Sequence, residues 1–269
     1  MVVFPNCKIN LGLHITSRRA DGFHNLETVF VPVEVNDALE ILPQPAFSFR
    51  QTGITVAGDP EQNLVVKAYR LLQQQYPGKI PDCYLHLHKV IPMGAGLGGG
   101  SADASFTLLT LNRLFDLHIP HAKLLELAAQ LGSDCPFFIE NKPVWATGRG
   151  EIMQQIDLDL SAYQVVLVCP GIHIPTPWAF GQVTPRQPAN AIRDIITEPV
   201  ANWRHKLVND FEAPVFATYP ALAACKAHLY AQGAVYAAMS GSGSSIFGLF
   251  PKHKKADILV DAGWKIFKA

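Results

Sequence analysis

Hydrophobic and polar residues alternate at the start of the chain. From residue 7 to residue 15 the odd positions are apolar, and polar or small residues from Lys8 to His14 fill the even ones. This period of two predicts a strand with an exposed polar face, on which Lys8 would be an ordinary solvated lysine. The Asp21-Gly22 pair marks a turn. The strands predicted for this opening region are residues 7–15, 26–35 and 38–42.

Helical periodicity lies on both sides of a glycine-rich segment. Residues 63–75 carry apolar side chains at helical spacing, and residues 84–91 return to strand alternation. Beyond the glycines, apolar residues recur at i, i+4, i+7 and i+11 from Ala104 to Phe115, which is typical of the buried stripe of a helix. The predicted order is therefore strand, glycine-rich loop, helix.

The remaining pattern predicts a mixed α+β chain. A helix over residues 121–131 ends at Gly132, and Asp134 is placed to cap the next helix, which has proline in its first turn. A change of pattern after residue 150 predicts a domain boundary near residue 152. The elements predicted beyond it are a strand at 164–169, helices around Val208 and Leu222, and two strands joined by a Gly-Ser loop within 234–250.

Composition narrows the possible partners. Hydrophobic residues make up 49% and charged residues 16% of the 269 residues, which indicates a folded globular chain. Basic and acidic residues both number 22, so no overall field attracts nucleic acid or an anionic membrane. Neither a signal-peptide pattern nor an apolar run of roughly 18 residues occurs. Five widely spaced cysteines suit a reducing compartment, and we expect a cytoplasmic protein.

The segment PMGAGLGGGSADAS, residues 92–105, has five glycines within seven positions, directly before a predicted helix. Glycine lets the backbone approach an anion, and the N–H groups of a helix start favour phosphate oxygens. A Walker A loop requires lysine after its last glycine, whereas Ser101 follows here. The spacing also fits a dinucleotide fingerprint, but its acidic residue, Asp116, would fall within the helix rather than at a strand end. The loop is predicted to hold phosphates.

Residues 92–101 resemble the ATP loop of the GHMP kinase superfamily, Pro-x-x-x-Gly-Leu-Gly-x-Gly/Ser-Ser. Five further blocks are similar to family segments and occur in the family's order: CKINL at 7–11, RADGFH at 19–24, GSDCPFF at 132–138, PGIHIPTP at 170–177 and SGSG at 240–243. The resemblance implies a two-lobed α+β fold. Its N-terminal ATP-binding lobe, residues 1–152, has a left-over-right β-α-β type core, and its C-terminal lobe, residues 153–269, is a ferredoxin-like α/β domain.

The blocks most resemble the branch of the superfamily that phosphorylates the 2-hydroxyl of a cytidine-diphosphate-linked polyol in non-mevalonate isoprenoid synthesis. A homoserine or mevalonate type of kinase, or a nucleotide-binding module without transfer chemistry, is the alternative. The resemblance implies ATP and Mg²⁺ as cofactors and leaves the protein ligands of the metal open. We expect a small-molecule acceptor, no nucleic-acid or membrane partner, and a monomer or weak homodimer.

The same resemblance assigns Lys8 and Asp134 as the catalytic pair. A carboxylate can accept the proton of the attacking hydroxyl, and an ammonium can orient that hydroxyl and offset charge on the phosphoryl group. The residues implied for ATP are Asn63, Lys89, Pro92, Met93, Gly94, Ala95, Gly96, Leu97, Gly98, Gly99, Gly100, Ser101 and Ala102. Those implied for the acceptor are Asn10, Phe23, His24, Thr176 and Phe180, with cytosine between the two phenyl rings. Asp103 stands where the family commonly has an amide.

Overall fold

The computed structural model of the protein describes residues 1–55, 58–253 and 263–269. Its strands are β1 (Val2–Val3), β2 (Asn6–Arg18), β3 (His24–Asn36), β4 (Ala38–Pro43), β5 (Ser48–Gly53), β6 (Cys83–Lys89), β7 (Val144–Thr147), β8 (Ile152–Gln155), β9 (Tyr163–Cys169), β10 (Tyr236–Met239), β11 (Ile246–Pro251) and β12 (Lys265–Lys268). Its α-helices are α1 (Leu64–Gln75), α2 (Gly99–Leu114), α3 (His121–Leu131), α4 (Cys135–Glu140), α5 (Thr176–Gln182), α6 (Ile192–Ile195), α7 (Glu212–Thr218) and α8 (Pro220–Ala231). Short 3₁₀ helices lie at Pro60–Gln62 and Val200–His205.

Contacts divide the chain into two compact units, neither of which is continuous in sequence. The first unit comprises Met1–Cys7, Glu34–Met93 and Gly98–Lys142. The second comprises Lys8–Val33, Gly94–Leu97 and Pro143–Ala269. The α+β class is confirmed, while the boundary near residue 152 stays a prediction. Across the described ranges, each helix is too short or too polar to cross a lipid bilayer.

The first unit is built on a four-stranded sheet in the order β1-β4-β6-β5. Strand β6 pairs antiparallel with β4 and parallel with β5. Its apolar positions Leu85 and Leu87 are buried opposite Ile41 and Leu39 of β4. Helices α1 to α4 supply the rest of this core, including the predicted stripe of α2, because an amphipathic face must be covered to leave water.

The second unit contains two four-stranded sheets, in the orders β2-β3-β7-β8 and β10-β11-β9-β12. In the latter sheet, β9 lies between β11 and β12 and pairs antiparallel with both. Helix α8 packs on this sheet with Leu222, Cys225 and Leu229, which are buried beside Val166 and Val168. The predicted strand, Gly-Ser loop and strand within 234–250 are thus confirmed as β10 and β11.

Three predictions from local pattern are wrong. Strand β2 has no exposed polar face among the described residues, because other segments cover both sides and Lys8 is only 4% exposed. The segment around Val208 is not helical: its carbonyl accepts a hydrogen bond from Leu13 N at 2.9 Å, so it runs along the edge of β2. Helix α2 ends at Leu114, so Asp116 follows the helix in a left-handed conformation.

Candidate active site

The glycine-rich loop ends at the start of helix α2. Gly98 is the N-cap residue, and its φ of 69° is left-handed, a conformation that costs a glycine little. The intrahelical ladder begins at once, with Ala102 N donating to Gly98 O at 2.9 Å. The first N–H groups of this 16-residue helix have no acceptor within the helix, which suits an anion, and phosphate binding there stays a prediction.

Within the second unit, the glycine-rich loop packs closely on the Gly-Ser loop at 240–243. Gly96 has a φ of 81°, and a Cβ atom at that position would overlap the Ser240 carbonyl oxygen. Ser240 Oγ donates to Gly96 O at 2.9 Å, and Ser245 N donates to Ala95 O at 3.2 Å. A Cβ atom on Gly243 would likewise overlap the Ala95 backbone. Side chains are excluded at Gly96 and Gly243 because the backbones of the two loops are in contact there.

Lys8 belongs to a buried polar cluster on β2 and β3. Its Nζ donates to Asn10 Oδ1 at 2.6 Å and lies 4.6 Å from the centroid of the Phe30 ring. Asn10 Nδ2 in turn donates to Thr28 Oγ1 at 3.0 Å, and Thr28 Oγ1 donates to the Gly12 carbonyl at 2.5 Å. The cation–π contact and the amide hold the ammonium in one place.

Asp134, in the first unit, is the N-cap residue of α4. Its backbone is in the right-handed helical region and, within the described residues, its side chain makes no capping hydrogen bond. Asp134 is half-buried. The capping role that the sequence suggested is therefore not what its carboxylate does here. Lys8 and Asp134 fall in different units, and their catalytic pairing stays a prediction.

The residues predicted for the acceptor lie in the second unit. Phe23 is 55% exposed, and the Arg149 guanidinium lies 4.9 Å from the centroid of its ring. His24 stacks on Phe180 with the ring centroids 5.2 Å apart and an interplanar angle of 25°. Thr176 begins α5, and its hydroxyl oxygen lies 3.4 Å from Ser242 Oγ. Arg149 was missed by sequence reasoning, although it precedes Gly150 in a turn that the sequence marks clearly.

A cavity of about 330 Å³ lies within the first unit. It is lined from β5, the turn after it, the start of α1, the end of β6 and the first turns of α2. Asn63 lines it and caps α1, because Asn63 Oδ1 accepts a hydrogen bond from Val65 N at 3.0 Å. Of the residues predicted for ATP, the lining includes Asn63, Lys89, Met93 and Gly100.

Lys89 ends β6 at the edge of this cavity, and two carboxylates hold it. Its Nζ forms ion pairs with Asp37 Oδ2 and, at 2.8 Å, with Asp103 Oδ2, and all three side chains are at most 3% exposed. Burial raises the pKa of Asp103 to about 7, against the lowering effect of the Lys89 ammonium. Sequence reasoning missed Asp37, whose position between two apolar strands was the available signal.

Two family models match the chain. The GHMP kinases N terminal domain matches residues 63–142, and the GHMP kinases C terminal domain matches residues 189–266, together more than half of the chain. The chain belongs to the GHMP kinase family. The GHMP kinase fold expected from the sequence is thereby confirmed.

Individual relatives of this GHMP kinase cover nearly its whole length. A Bacteroides fragilis protein is 52% identical over 259 residues, which are 95% of this chain and 94% of that one. A Parabacteroides distasonis protein is 50% identical over 252 residues, which are 94% and 92% of the two chains. Both are named 4-diphosphocytidyl-2-C-methyl-D-erythritol kinase. A crystal structure of 4-(cytidine 5'-diphospho)-2C-methyl-D-erythritol kinase aligns with a TM-score of 0.81 at 33% identity, covering 94% of this chain and 92% of that one.

Proposed function

We propose that this GHMP kinase transfers the γ-phosphoryl group of ATP to the 2-hydroxyl of 4-diphosphocytidyl-2-C-methyl-D-erythritol, a step of non-mevalonate isoprenoid synthesis. The observation that carries the proposal is the 52% identity, over 95% of the chain, with a kinase of that name. ATP use follows from membership of the family. The glycine-rich loop and the cavity beside it suit a nucleotide independently of that likeness.

The chemistry needs one proton acceptor and one fixed cation. The acceptor hydroxyl attacks the γ-phosphorus, the new O–P bond forms, the bond to the β-phosphate oxygen breaks, and ADP leaves. Asp134 accepts the hydroxyl proton. Lys8 orients the acceptor oxygen and offsets charge on the phosphoryl group. Its attachment to Asn10 and its contact with the Phe30 ring support this role, because a catalytic cation must stay in one geometry.

The phosphates are held at the start of α2 and along the glycine-rich loop. The first-turn N–H groups donate to phosphate oxygens, and the positive end of the helix dipole acts in the same direction. The nucleoside occupies the cavity beside Asn63, where β5 and the start of α1 form the wall. Lys89 contributes from the inner side of that cavity, through the charge balance of its cluster with two carboxylates.

Mg²⁺ is expected with ATP, since it neutralises charge on the β- and γ-phosphate oxygens. This ion keeps several waters and often binds substrate phosphates with one or two protein oxygens. In the described part of the chain, no group of three His, Cys, Asp or Glu side chains is arranged to hold a metal. An ion held mainly by the triphosphate oxygens is consistent with this observation, and its protein ligands are left unassigned.

The cytosine of the acceptor stacks on Phe23 and Phe180, with His24 supplying a polar contact. The exposed Phe23 ring offers a free face, and base stacking on an aromatic ring is worth about 1–3 kcal/mol in nucleic-acid complexes. His24 covers one face of Phe180, so stacking of the base on that face requires the imidazole to rotate away. Asn10 and Thr176 complete the predicted acceptor contacts.

The proposal is tested by measuring ADP release from purified protein with a panel of acceptors. We expect ADP release that depends on 4-diphosphocytidyl-2-C-methyl-D-erythritol and a product that carries one added phosphate on it. Release that depends instead on homoserine or a mevalonate derivative would place the acceptor specificity elsewhere in the family. Tight ATP binding without acceptor-dependent release over the whole panel would favour a nucleotide-binding module.

A further inference from the structure

The cluster formed by Lys89, Asp37 and Asp103 contains one cation and two carboxyl groups. Its side chains are buried, with exposures of 0%, 0% and 3%. With both carboxylates ionised, the cluster has a net charge of −1 in a medium that solvates charge poorly. It adjoins the helix start that the proposed function uses for phosphates, where a second negative charge is unfavourable.

The two carboxylates are not equivalent. Asp37 uses both oxygens: Oδ2 pairs with Lys89, and Oδ1 accepts hydrogen bonds from Val90 N and from Ile91 N, the latter at 2.9 Å. Asp103 uses Oδ2 for Lys89, whereas its buried Oδ1 has no hydrogen-bond partner among the described residues. Both oxygens of Asp37 are therefore already engaged, and Asp103 is the member of the cluster with a carboxylate oxygen open to a proton.

The cluster touches the first turn of α2 directly. A Cβ atom on Gly99 would lie 3.0 Å from Lys89 Nζ, so the ammonium occupies the space that a side chain at this position would need. Asp103 is four residues further along, one turn into the same helix. Both Lys89 and Asp103 line the cavity proposed for the nucleoside. Phosphates bound at this turn would therefore lie close enough to Asp103 to influence its carboxyl group electrostatically.

Few other charges act on Asp103. The Lys89 ammonium favours its ionised form, and the Asp37 carboxylate disfavours it. Helix α1 turns apolar side chains to the shared core and leaves Lys67 exposed. Helix α4 contributes the buried Cys135 thiol, whose pKa is raised to about 11 by burial, so it stays neutral. Burial of Asp103 itself raises its pKa to about 7, so the negative charge of a neighbouring phosphate can raise this pKa above neutral pH.

We propose that Asp103 takes up a proton when the nucleotide binds, so that the phosphates bind beside a neutral cluster. The inference rests on the proposed function, because it needs ATP at the start of α2. Negative charge from the triphosphate raises the proton affinity of Asp103, and by linkage the protonated protein binds nucleotide more tightly. Asp103 is thus a positioning residue that sets the charge of the site and does not touch the transferred group.

The consequence is a nucleotide affinity that depends on pH. Above the pKa of Asp103 in the free protein, binding must supply a proton, and the affinity falls by up to about tenfold for each pH unit. The number of protons taken up per nucleotide lies between zero and one and decreases at low pH, where Asp103 is already protonated.

Titration calorimetry with adenylyl imidodiphosphate, in buffers of different ionisation enthalpy at pH 7.5, counts these protons. Wild-type protein is compared with Asp103→Asn, which has nearly the same shape and cannot ionise. We expect several tenths of a proton more uptake in the wild type, and the nucleotide's own titration cancels in the difference. Asp157→Asn removes an exposed carboxyl and should match the wild type. Equal uptake in the wild type and Asp103→Asn would overturn the inference.

If Asp103→Asn does not fold, the pH dependence of nucleotide affinity in the wild type tests the inference by itself. An affinity that is constant from pH 6.5 to 8.5, after correction for the nucleotide's own titration, would overturn the inference. The kinase proposal is judged separately by ADP release: loss of acceptor-dependent turnover with intact proton uptake would contradict only the acceptor chemistry. Absence of nucleotide binding would overturn both.

Discussion

Lys89 Nζ donates a hydrogen bond to Asp103 Oδ2 over 2.8 Å, in a place that water does not reach. The same ammonium is paired with Asp37, which also accepts hydrogen bonds from the backbone after β6. The end of β6 and the first turns of α2 are thus joined through one cation. This connection fixes the inner side of the cavity independently of any ligand.

Replacing Lys89 with methionine should lower the free energy of unfolding by about 3–5 kcal/mol, because two buried carboxyl groups lose their cation. Denaturant unfolding of both proteins at pH 7.5 measures the loss. The control is Lys123→Met: Lys123 pairs with Glu126 at a similar 2.8 Å, but both side chains are well exposed. We expect little measurable change there. Equal losses in the two variants would show that burial does not strengthen the first pair.

The stability of the wild type should fall as pH rises from about 4 to about 7 more steeply than that of Asp103→Asn. The folded-state pKa of Asp103 is raised, so in this window the native state holds a proton that the unfolded state has lost. The resulting difference is of the order of a few kcal/mol. Unfolding curves for both proteins at pH 5 and pH 8 measure it. Parallel pH dependence in the two proteins would contradict the assignment.

Gly96→Ala should destabilise the protein and weaken nucleotide binding for two reasons. The added methyl group would overlap the Ser240 carbonyl, and the φ of 81° is unfavourable for alanine. Gly22→Ala separates the two effects. Gly22 has nearly the same φ, 85°, and its Cβ position is open space among the described residues. The control should lose about 1–2 kcal/mol from backbone strain, and Gly96→Ala more. Thermal unfolding and ATP titration of both variants check this, and similar losses would contradict the close packing of the two loops.

Phe23→Ala should raise the KM for the acceptor by roughly 5- to 150-fold, the equivalent of about 1–3 kcal/mol of stacking, and leave the KM for ATP nearly unchanged. Its ring is 55% exposed, so the free energy of unfolding should change by less than about 0.5 kcal/mol. Steady-state kinetics with each substrate varied in turn measures both constants. An unchanged KM for the acceptor would remove Phe23 from the acceptor site.

Asp134→Asn should lower kcat by at least about a hundredfold and leave ATP affinity nearly intact, because it removes the proton acceptor and keeps the shape of the side chain. ADP release and ATP titration measure the two quantities. Glu140→Gln, an exposed carboxyl at the end of the same helix, is the control and should keep its activity. A kcat near the wild-type value in Asp134→Asn would exclude this carboxylate from the reaction.

Local sequence predicted a large part of the fold because the strongest signals are local. Helix α3 was predicted with the bounds that it has, and α1 with an error of one residue. The failure near Val208 has a tertiary cause: that segment lies along the edge of β2, and its hydrogen bonds go to Leu13. No helical or strand period within the segment reports a partner almost 200 residues away.

By itself, the sequence determined the order of strand, glycine-rich loop and helix, and with it the prediction that the start of α2 binds phosphates, since glycine density and periodicity depend only on consecutive residues. The tertiary structure alone decided that Lys8 is buried, that Asp37 and Asp103 share Lys89, and that Gly96 touches Ser240. These facts depend on which distant segments cover a given face. Alternation along one strand shows that its two faces differ, but the neighbours determine whether either face reaches water.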